Sequence, residues 1–165
     1  MVEVKRDFRP WLLAIALVVI VLDRWSKLWD ESHVARGSTI PVIPGVFWIS
    51  HVYNYGAAFS LFASLSPLVV RNCLVGFSMV AVVAVLAMIW KMGRVFSLTG
   101  LALGLILGGA IGNLYDRMRF SYVVDFLWVQ IGSYHWPDFN LADSAIVVGA
   151  CLLLLEIFRT QPAEV

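Results

Sequence analysis

The sequence predicts an all-α membrane protein with four transmembrane helices and a small β element outside the bilayer. Of the 165 residues, 61% are hydrophobic and only 14% are charged, which is unlike the composition of a water-soluble domain. The hydrophobic residues are concentrated in four stretches, at residues 11–22, 68–90, 98–115 and 141–158. We therefore expect a single integral membrane domain over residues 1–165.

We expect the four helices at about residues 11–29, 68–90, 96–116 and 140–158. Crossing about 30 Å of hydrocarbon takes about 20 helical residues, so the second stretch is long enough and the third nearly so. The first and fourth stretches are long enough to cross the bilayer only when their polar flanking residues are included. The first is not interpreted as a cleaved signal peptide, because the polar residues 23–27 follow it without a small-residue cleavage pattern.

Two long segments are expected outside the bilayer on the same side. In residues 30–67, prolines and glycines surround the alternating run 46–53, which predicts strands broken by turns. Residues 117–139 contain Tyr122, Trp128, Tyr134 and Trp136, and such aromatic residues are typical of the membrane–water interface.

The distribution of cations predicts the orientation of the helices. With four helices both termini lie on one side, and that side collects Lys5, Arg6, Arg9, Lys91, Arg94 and Arg159. The other side has Arg36, Arg71, Arg117 and Arg119. Because lysine and arginine are in excess in cytoplasmic segments, we expect both termini to be cytoplasmic. A net charge of +1 provides no basic field for binding nucleic acid.

Three polar triplets lie at or near helix ends with the spacing i, i+3, i+4. They are Asp23, Ser26 and Lys27; Asn113, Asp116 and Arg117; and Asn140, Asp143 and Ser144. Each triplet occupies one helical face, and ionisable groups there usually face the bundle interior or a partner. The predicted topology places all three triplets at the outer end of the bundle. Asn54 and Asp125 lie in the two long segments on the same side. The sequence therefore predicts one polar site at the outer boundary.

Paired carboxylates are the chemistry that this site favours. Two carboxylates in a poorly solvated site split their proton affinities, and such a pair can activate water and protonate a peptide carbonyl. Position favours Asp143 as one member, while Asp23, Asp116, Asp125 and Asp138 all remain open as its partner. Helical spacing favours Asp116, although a salt bridge with Arg117 is the preferred interpretation of that residue.

The remaining polar and small residues predict no cofactor and no metal. His33, His51 and His135 lack ligand spacing and are expected to be solvated or interfacial. Cys73 and Cys151 lie in apolar stretches and are expected to pack as small hydrophobic residues. In the third helix Gly104, Gly108 and Gly112 recur every four residues, with Gly109 beside them, which indicates close helix packing.

Five ordered blocks of the sequence resemble the lipoprotein signal peptidase family, also called signal peptidase II. The blocks are DRWSK at 23–27, NYGAAFS at 54–60, GGAIGNLYDR at 108–117, VVDF at 123–126 and FNLADS at 139–144. The resemblance implies a metal-independent aspartyl endopeptidase. Such an enzyme removes the signal peptide from diacylglyceryl-modified prolipoproteins, cutting before the lipidated cysteine with carboxylate-activated water.

The resemblance also implies roles for individual residues. Asp125 and Asp143 would form the catalytic dyad. The supporting and substrate-binding residues would be Asn54, Gly56, Asn113, Arg117, Asn140, Asp23, Lys27 and Asp116. The first long segment resembles the family's β-cradle, and the segment around Asp125 resembles its mobile periplasmic helix.

By the same resemblance the protein would be a monomer in the bacterial inner membrane, with its active site facing the periplasm or outer surface. Its partners would be lipidated prolipoproteins and membrane lipids, and the cyclic peptide inhibitor globomycin would bind to it.

Two other classes of protein are compatible with polar residues in membrane helices. A small polytopic transporter or proton-relay protein would place such residues along its ion pathway. However, the inner parts of the four helices are almost uninterrupted hydrocarbon, which disfavours a conduit. A structural or assembly protein would use the triplets only to join helices.

Overall fold

Four helices and a four-stranded antiparallel sheet form the computed structural model, which describes residues 7–56, 66–92 and 97–160. The helices are α1 (Arg9–His33), α2 (Pro67–Met92), α3 (Leu98–Phe120) and α4 (Leu141–Thr160). The strands are β1 (Thr39–Ile43), β2 (Phe47–Asn54), β3 (Val123–Ile131) and β4 (Tyr134–His135). The predictions made on Lys5, Arg6, Arg94 and residues 57–60 lie outside the described residues.

Helix α3 is the centre of the bundle because its glycines let two neighbouring helices come close. A Cβ added at Gly108 would lie 2.6 Å from Val19 Cβ of α1, and one added at Gly109 would lie 2.3 Å from the Ala142 carbonyl oxygen of α4. Neither distance is possible for a side chain. The packing role predicted for these glycines is confirmed, and it brings α1 and α4 onto α3.

The outer faces of the helices are apolar. Phe77 and Trp90 of α2 are more than two-thirds exposed, as expected for side chains that face lipid. By length and hydropathy three of the described helices could cross a membrane, at Pro67–Met92, Leu98–Phe120 and Leu141–Arg159. Helix α1 is not among these three candidate spans, and its second half contains buried charged residues, among them Asp23 and Lys27.

The sheet covers the end of the bundle at which α1 and α3 stop and α4 begins, which we call the sheet end. The alternating run 46–53 was predicted to be extended, and β2 confirms that prediction. The segment around Asp125 was expected to form a periplasmic helix, and this was wrong. It is strand β3, which pairs with β2 so that Asp125 lies opposite Val52. The β-branched and aromatic residues around Asp125 favour a strand when a neighbouring strand offers a ladder.

The turn from α3 into β3 sets the position of Asp125. Ser121 ends the helix in the left-handed conformation with φ 69°, and its N–H donates to the Arg117 carbonyl oxygen. Strand β3 begins two residues later, at Val123. Asp125 therefore lies close to the last turn of the central helix.

The contact of Gly108 with α1 can be tested with two alanine substitutions. Gly108→Ala should lower the free energy of unfolding by about 1–3 kcal/mol, because the added methyl group would overlap Val19 and the Ala16 carbonyl. Thermal unfolding in detergent measures the change. Gly76→Ala in α2 is the matched control, since a Cβ there would have no described heavy atom within 4 Å apart from its chain neighbours and the nearby backbone of its own helix. Equal behaviour of the two variants would contradict the close packing.

Candidate active site

Two aspartates from different elements share one polar neighbour at the sheet end. Asp125 of β3 is 2% exposed, whereas Asp143 in the first turn of α4 is half-buried. Between them, the Asn140 side-chain amide donates to Asp125 Oδ1 at 2.7 Å, and the Asn140 backbone N–H donates to Asp143 Oδ2 at 3.3 Å. One residue thus holds both carboxylates in a single site.

Asn140 has this position because it caps the N-terminus of α4. Its Oδ1 accepts a hydrogen bond from the Asp143 backbone N–H at 2.9 Å, while Asp143 accepts from the Asn140 N–H in return. This reciprocal arrangement is a capping box. Because the amide oxygen is occupied as an acceptor, the amide nitrogen must point the other way, towards Asp125.

A backbone hydrogen bond also fixes the orientation of the Asn54 side-chain amide. Its Oδ1 accepts from the Gly56 N–H at 2.8 Å, so its Nδ2 donates to Asp125 Oδ2, also at 2.8 Å. Gly56 adopts φ +93°, a conformation that favours glycine. Each oxygen of Asp125 therefore accepts a hydrogen bond from an asparagine side-chain amide whose orientation is fixed.

Asn113 of α3 plays the equivalent part for Asp143. Its Oδ1 accepts from Lys27 Nζ at 3.3 Å and from Asn140 Nδ2 at 3.2 Å, which leaves its Nδ2 to donate to Asp143 Oδ1 at 2.7 Å. Three asparagine amides thus present their N–H groups to the two carboxylates. A charged donor, Lys27, orients one of them.

Lys27 lies in an ion cluster beneath this site. The lysine is fully buried, and its Nζ lies 2.7 Å from Asp23 Oδ2 and 2.8 Å from Asp116 Oδ2. The second oxygen of Asp23 accepts from the backbone N–H of Ala142 at 3.0 Å. Because Asp23 and Lys27 are on α1, Asp116 on α3 and Ala142 on α4, the cluster joins three helices under the site.

The prediction that Asp116 forms a salt bridge with Arg117 was wrong, because Asp116 has other partners. Asp116 pairs with Lys27 and, at 3.6 Å, with Arg24. Both cations come from α1, so the packing of α1 on α3 decides the partner of Asp116, and spacing along α3 does not. Within the described residues Arg117 Nε is buried without a hydrogen-bond partner, and the guanidinium interacts electrostatically with the carboxylates of Asp143 and Asp125.

Burial and charge together favour a proton on Asp125. Desolvation raises the pKa of Asp125 from 3.8 to about 7, and the neighbouring charge of Asp143 acts in the same direction. The hydrogen bonds from Asn54 and Asn140 and the charge of Lys27 act the other way but do not outweigh burial. Near neutral pH Asp125 can therefore hold or release a proton, as an acid–base group must.

Sequence reasoning missed two features of the site. It did not give Arg24 a role, although Arg24 belongs to the first block and reaches Asp116. It named Asn140 as a supporting residue but did not interpret it as a helix cap, although the pattern Asn-x-x-Asp before an apolar run is a capping signal.

His51 also differs from its prediction. It is 3% exposed rather than solvated, and its Nδ1 lies 2.8 Å from the Val34 carbonyl oxygen and 3.4 Å from Asp30 Oδ2. It packs between β2 and the end of α1, a contact that depends on the tertiary fold. In the parts of the chain that the structure describes, no group of three or more His, Cys, Asp and Glu residues could hold a metal ion.

Comparison with solved structures defines the class of protein first. The chain is similar to a bacterial membrane enzyme solved by the in meso method at 1.9 Å resolution, with a TM-score of 0.84 and 27% identity over 95% of this chain and 98% of that one. A second bacterial membrane enzyme, solved by the same method at 2.3 Å, has a TM-score of 0.83 and 25% identity. The protein has a membrane-enzyme fold of helices with a small antiparallel sheet.

Sequence comparison then gives the family. The family profile described as signal peptidase (SPase) II matches residues 15–159. The lipoprotein signal peptidase of Solibacter usitatus is 41% identical over 94% of each chain. That of Pseudomonas aeruginosa is 43% identical over 98% of this chain and 95% of its own. This chain belongs to the signal peptidase II family, a family of bacterial membrane proteases.

Removing the ammonium of Lys27 should destabilise the fold. Lys27→Met removes the ion-pair partner of the buried Asp23 and leaves Asp116 with only the more distant Arg24, and we expect a loss of about 3–5 kcal/mol in the free energy of unfolding. Thermal unfolding in detergent measures it, with Lys91→Met at the exposed end of α2 as the matched control. Adding Asp116→Asn to Lys27→Met should recover part of the loss. No recovery would mean that the charge cluster is not the cause.

The raised pKa of Asp125 predicts a pH-dependent stability. A carboxyl group whose pKa is raised on folding contributes stability that is fully present below its unfolded pKa, about 4. That contribution is lost as the pH rises through about 7. Unfolding midpoints of wild type and Asp125→Asn should therefore diverge between pH 4 and pH 8, with the wild type losing relative stability as the pH rises. A difference that is constant across this range would contradict the pKa assignment.

Proposed function

We propose that this protein is an aspartic endopeptidase that removes the signal peptide from diacylglyceryl-modified prolipoproteins, with Asp125 and Asp143 as its catalytic dyad. The observation that carries the proposal is the pair of carboxylates held by one residue, Asn140, at the end of an apolar helix bundle. Membership of the signal peptidase II family supplies the substrate class.

The protonation states of the dyad follow from its surroundings. Asp125 is nearly fully buried with a pKa of about 7, so it serves as the protonated member. Asp143 is half-buried and accepts hydrogen bonds from Asn113 and Asn140 at its two oxygens, and it is assigned the role of the base. One group is then an acid and the other a base at neutral pH.

The reaction needs only these two groups and a water molecule. Asp143 takes a proton from water as the oxygen attacks the scissile carbonyl carbon, while Asp125 donates its proton to the carbonyl oxygen. The result is a neutral tetrahedral diol. Asp143 then gives its proton to the leaving nitrogen, Asp125 recovers one from a diol hydroxyl, and the carbon–nitrogen bond breaks. The dyad ends in its starting state, and no metal or cofactor takes part.

The surrounding residues hold the dyad and the substrate. Asn54, Asn113 and Asn140 fix the two carboxylates through oriented amides, so little reorganisation is needed during the reaction. The guanidinium of Arg117 interacts electrostatically with both carboxylates, and its assigned role is to donate to a peptide carbonyl of the substrate. Asp23, Lys27 and Asp116 support Asn113 from below, and Gly56 supports Asn54.

The position of the site suits a substrate anchored in lipid. The proposed topology has four membrane-spanning helices, α1 included, with both termini cytoplasmic and the sheet end at the outer surface of the inner membrane. A diacylglyceryl group could then remain in lipid beside the exposed apolar helix faces while the peptide bond reaches the dyad. The enzyme would act as a monomer and bind globomycin at the same site.

The depth of the polar groups favours a peptidase over a transporter. The buried polar and charged side chains of the described residues are Asp23, Ser26, Lys27, Asp30, Ser50, His51, Asn113, Asp116, Asp125 and Asn140. All belong to the sheet end. In the other half of the bundle the core cluster is apolar, formed around Leu12, Ala16, Leu103 and Leu107. A conduit would need polar groups at several depths.

Cleavage of a lipidated precursor tests the dyad. Asp125→Asn and Asp143→Asn should each lower the cleavage rate by about 100- to 10,000-fold, because each removes one acid–base group. A gel-shift assay with purified protein and a diacylglyceryl-modified precursor measures the rate. Asp138→Asn is the matched control, since this aspartate accepts from Ser50 outside the dyad.

Two further conditions sharpen this test. A chelator should leave the rate unchanged, and an unlipidated precursor should be cleaved slowly. If both dyad variants fold and cleave at the wild-type rate, Asp125 and Asp143 are not the catalytic pair. Proton-coupled uptake in proteoliposomes without cleavage would instead favour the transporter.

A further inference from the structure

Arg71 joins α2 to the last turn of the central helix. It lies in the second turn of α2, at the sheet end, and its Nε donates to the Arg117 carbonyl oxygen at 3.2 Å. Its Nη2 donates to the next carbonyl, that of Met118, also at 3.2 Å. The last carbonyls of a helix lack intrahelical donors and carry partial negative charge, so an arginine is a favourable partner for them.

The two carbonyls that Arg71 holds belong to the segment that places both sides of the site. The Arg117 carbonyl also accepts from the Ser121 N–H at 3.2 Å, where the chain leaves α3 in the left-handed conformation. Tyr122 follows and stacks on Tyr53 of β2 with ring centroids 4.1 Å apart. Asp125 is three residues further along the chain, so a shift of the helix end would move it.

Arg117 depends on the same anchor. Its guanidinium interacts with the charges of Asp143 and Asp125, yet in the described part of the chain its side chain makes no ion pair within 4.0 Å. The place from which this side chain reaches towards the two carboxylates depends on where the last turn of α3 lies. The backbone of that turn is held from outside by Arg71.

We infer that Arg71 is a positioning residue for the reaction: by fixing the Arg117 and Met118 carbonyls, it sets the position of the last turn of α3, from which Arg117 reaches towards the dyad, and the start of β3, and thereby the place of Asp125. It touches neither the proposed dyad nor, in this role, the substrate. The inference rests on the proposed function for its catalytic consequence, but its structural consequence is independent of that function.

The geometry requires an arginine rather than any cation. Two donors on one planar guanidinium bind two consecutive carbonyls at the same time, whereas a lysine ammonium offers one compact charge. Arg71→Lys should retain the favourable charge at the helix end but lose the paired geometry. Arg71→Leu should lose both.

Kinetics on a lipidated precursor measure the catalytic consequence. Arg71→Leu should lower kcat by about 10- to 100-fold, with KM changed less than about threefold, because a small displacement of catalytic groups affects mainly the transition state. Arg71→Lys should recover part of kcat. The pH–rate profile of Arg71→Leu should also shift, because the surroundings of Asp125 would change. Arg119→Gln is the matched control, because Arg119 is exposed and stacks only on Phe120 in the described structure.

Hydrogen exchange measures the structural consequence without any need for activity. Peptides covering residues 118–126 should exchange faster in Arg71→Leu than in wild type or Arg119→Gln, while the rest of the chain stays unchanged. If wild type does not cleave the precursor, the proposed function fails, and this exchange pattern still decides the role of Arg71. Unchanged exchange over residues 118–126, or a kcat within twofold of wild type in an active enzyme, would overturn the inference. So would loss of protection throughout the protein, which would make Arg71 a general stabilising residue.

Discussion

The buried ammonium of Lys27 is the interaction on which the arrangement of the site depends. It forms ion pairs with both Asp23 and Asp116, which offset part of the large desolvation cost of burying those carboxylates. Through Asp23 it reaches the first turn of α4, and through Asn113 it reaches Asp143. A single cation thus connects the packing of three helices to the orientation of an amide beside the proposed dyad.

Above this cluster, each asparagine is oriented by what its oxygen accepts. Backbone N–H groups occupy the oxygens of Asn54 and Asn140, and Lys27 and Asn140 occupy that of Asn113. The N–H groups must then face the carboxylates. The two aspartates nevertheless differ, because Asp125 is buried in strand β3 and Asp143 is partly exposed. In the proposed mechanism, this unequal burial of two similarly hydrogen-bonded groups is what gives one the role of acid and the other the role of base.

Close packing around α3 makes this arrangement possible. Because Gly108 and Gly109 have no side chains, α1 and α4 can pack directly against the backbone of α3. The polar cluster lies next to this contact, towards the sheet end. At the same end Arg71 ties α2 to the end of α3. Among the described residues, the polar side chains that are buried as whole residues therefore gather where the sheet covers the bundle, while the outer helix faces are apolar.

The sequence by itself determined the helices, one extended segment and the end of the bundle where polar residues gather, because these follow from hydropathy and from periodicity along the chain. It also identified Asp143 as a candidate, while the choice of Asp125 came from the family blocks. Only the tertiary structure decided that Asp125 lies in a strand, that Asp116 pairs with Lys27 rather than Arg117, and that His51 is buried. The physical reason is common to all three. A strand needs a partner ladder, and the partner of a buried charge is its nearest neighbour in space, often from another helix, which one-dimensional spacing does not specify.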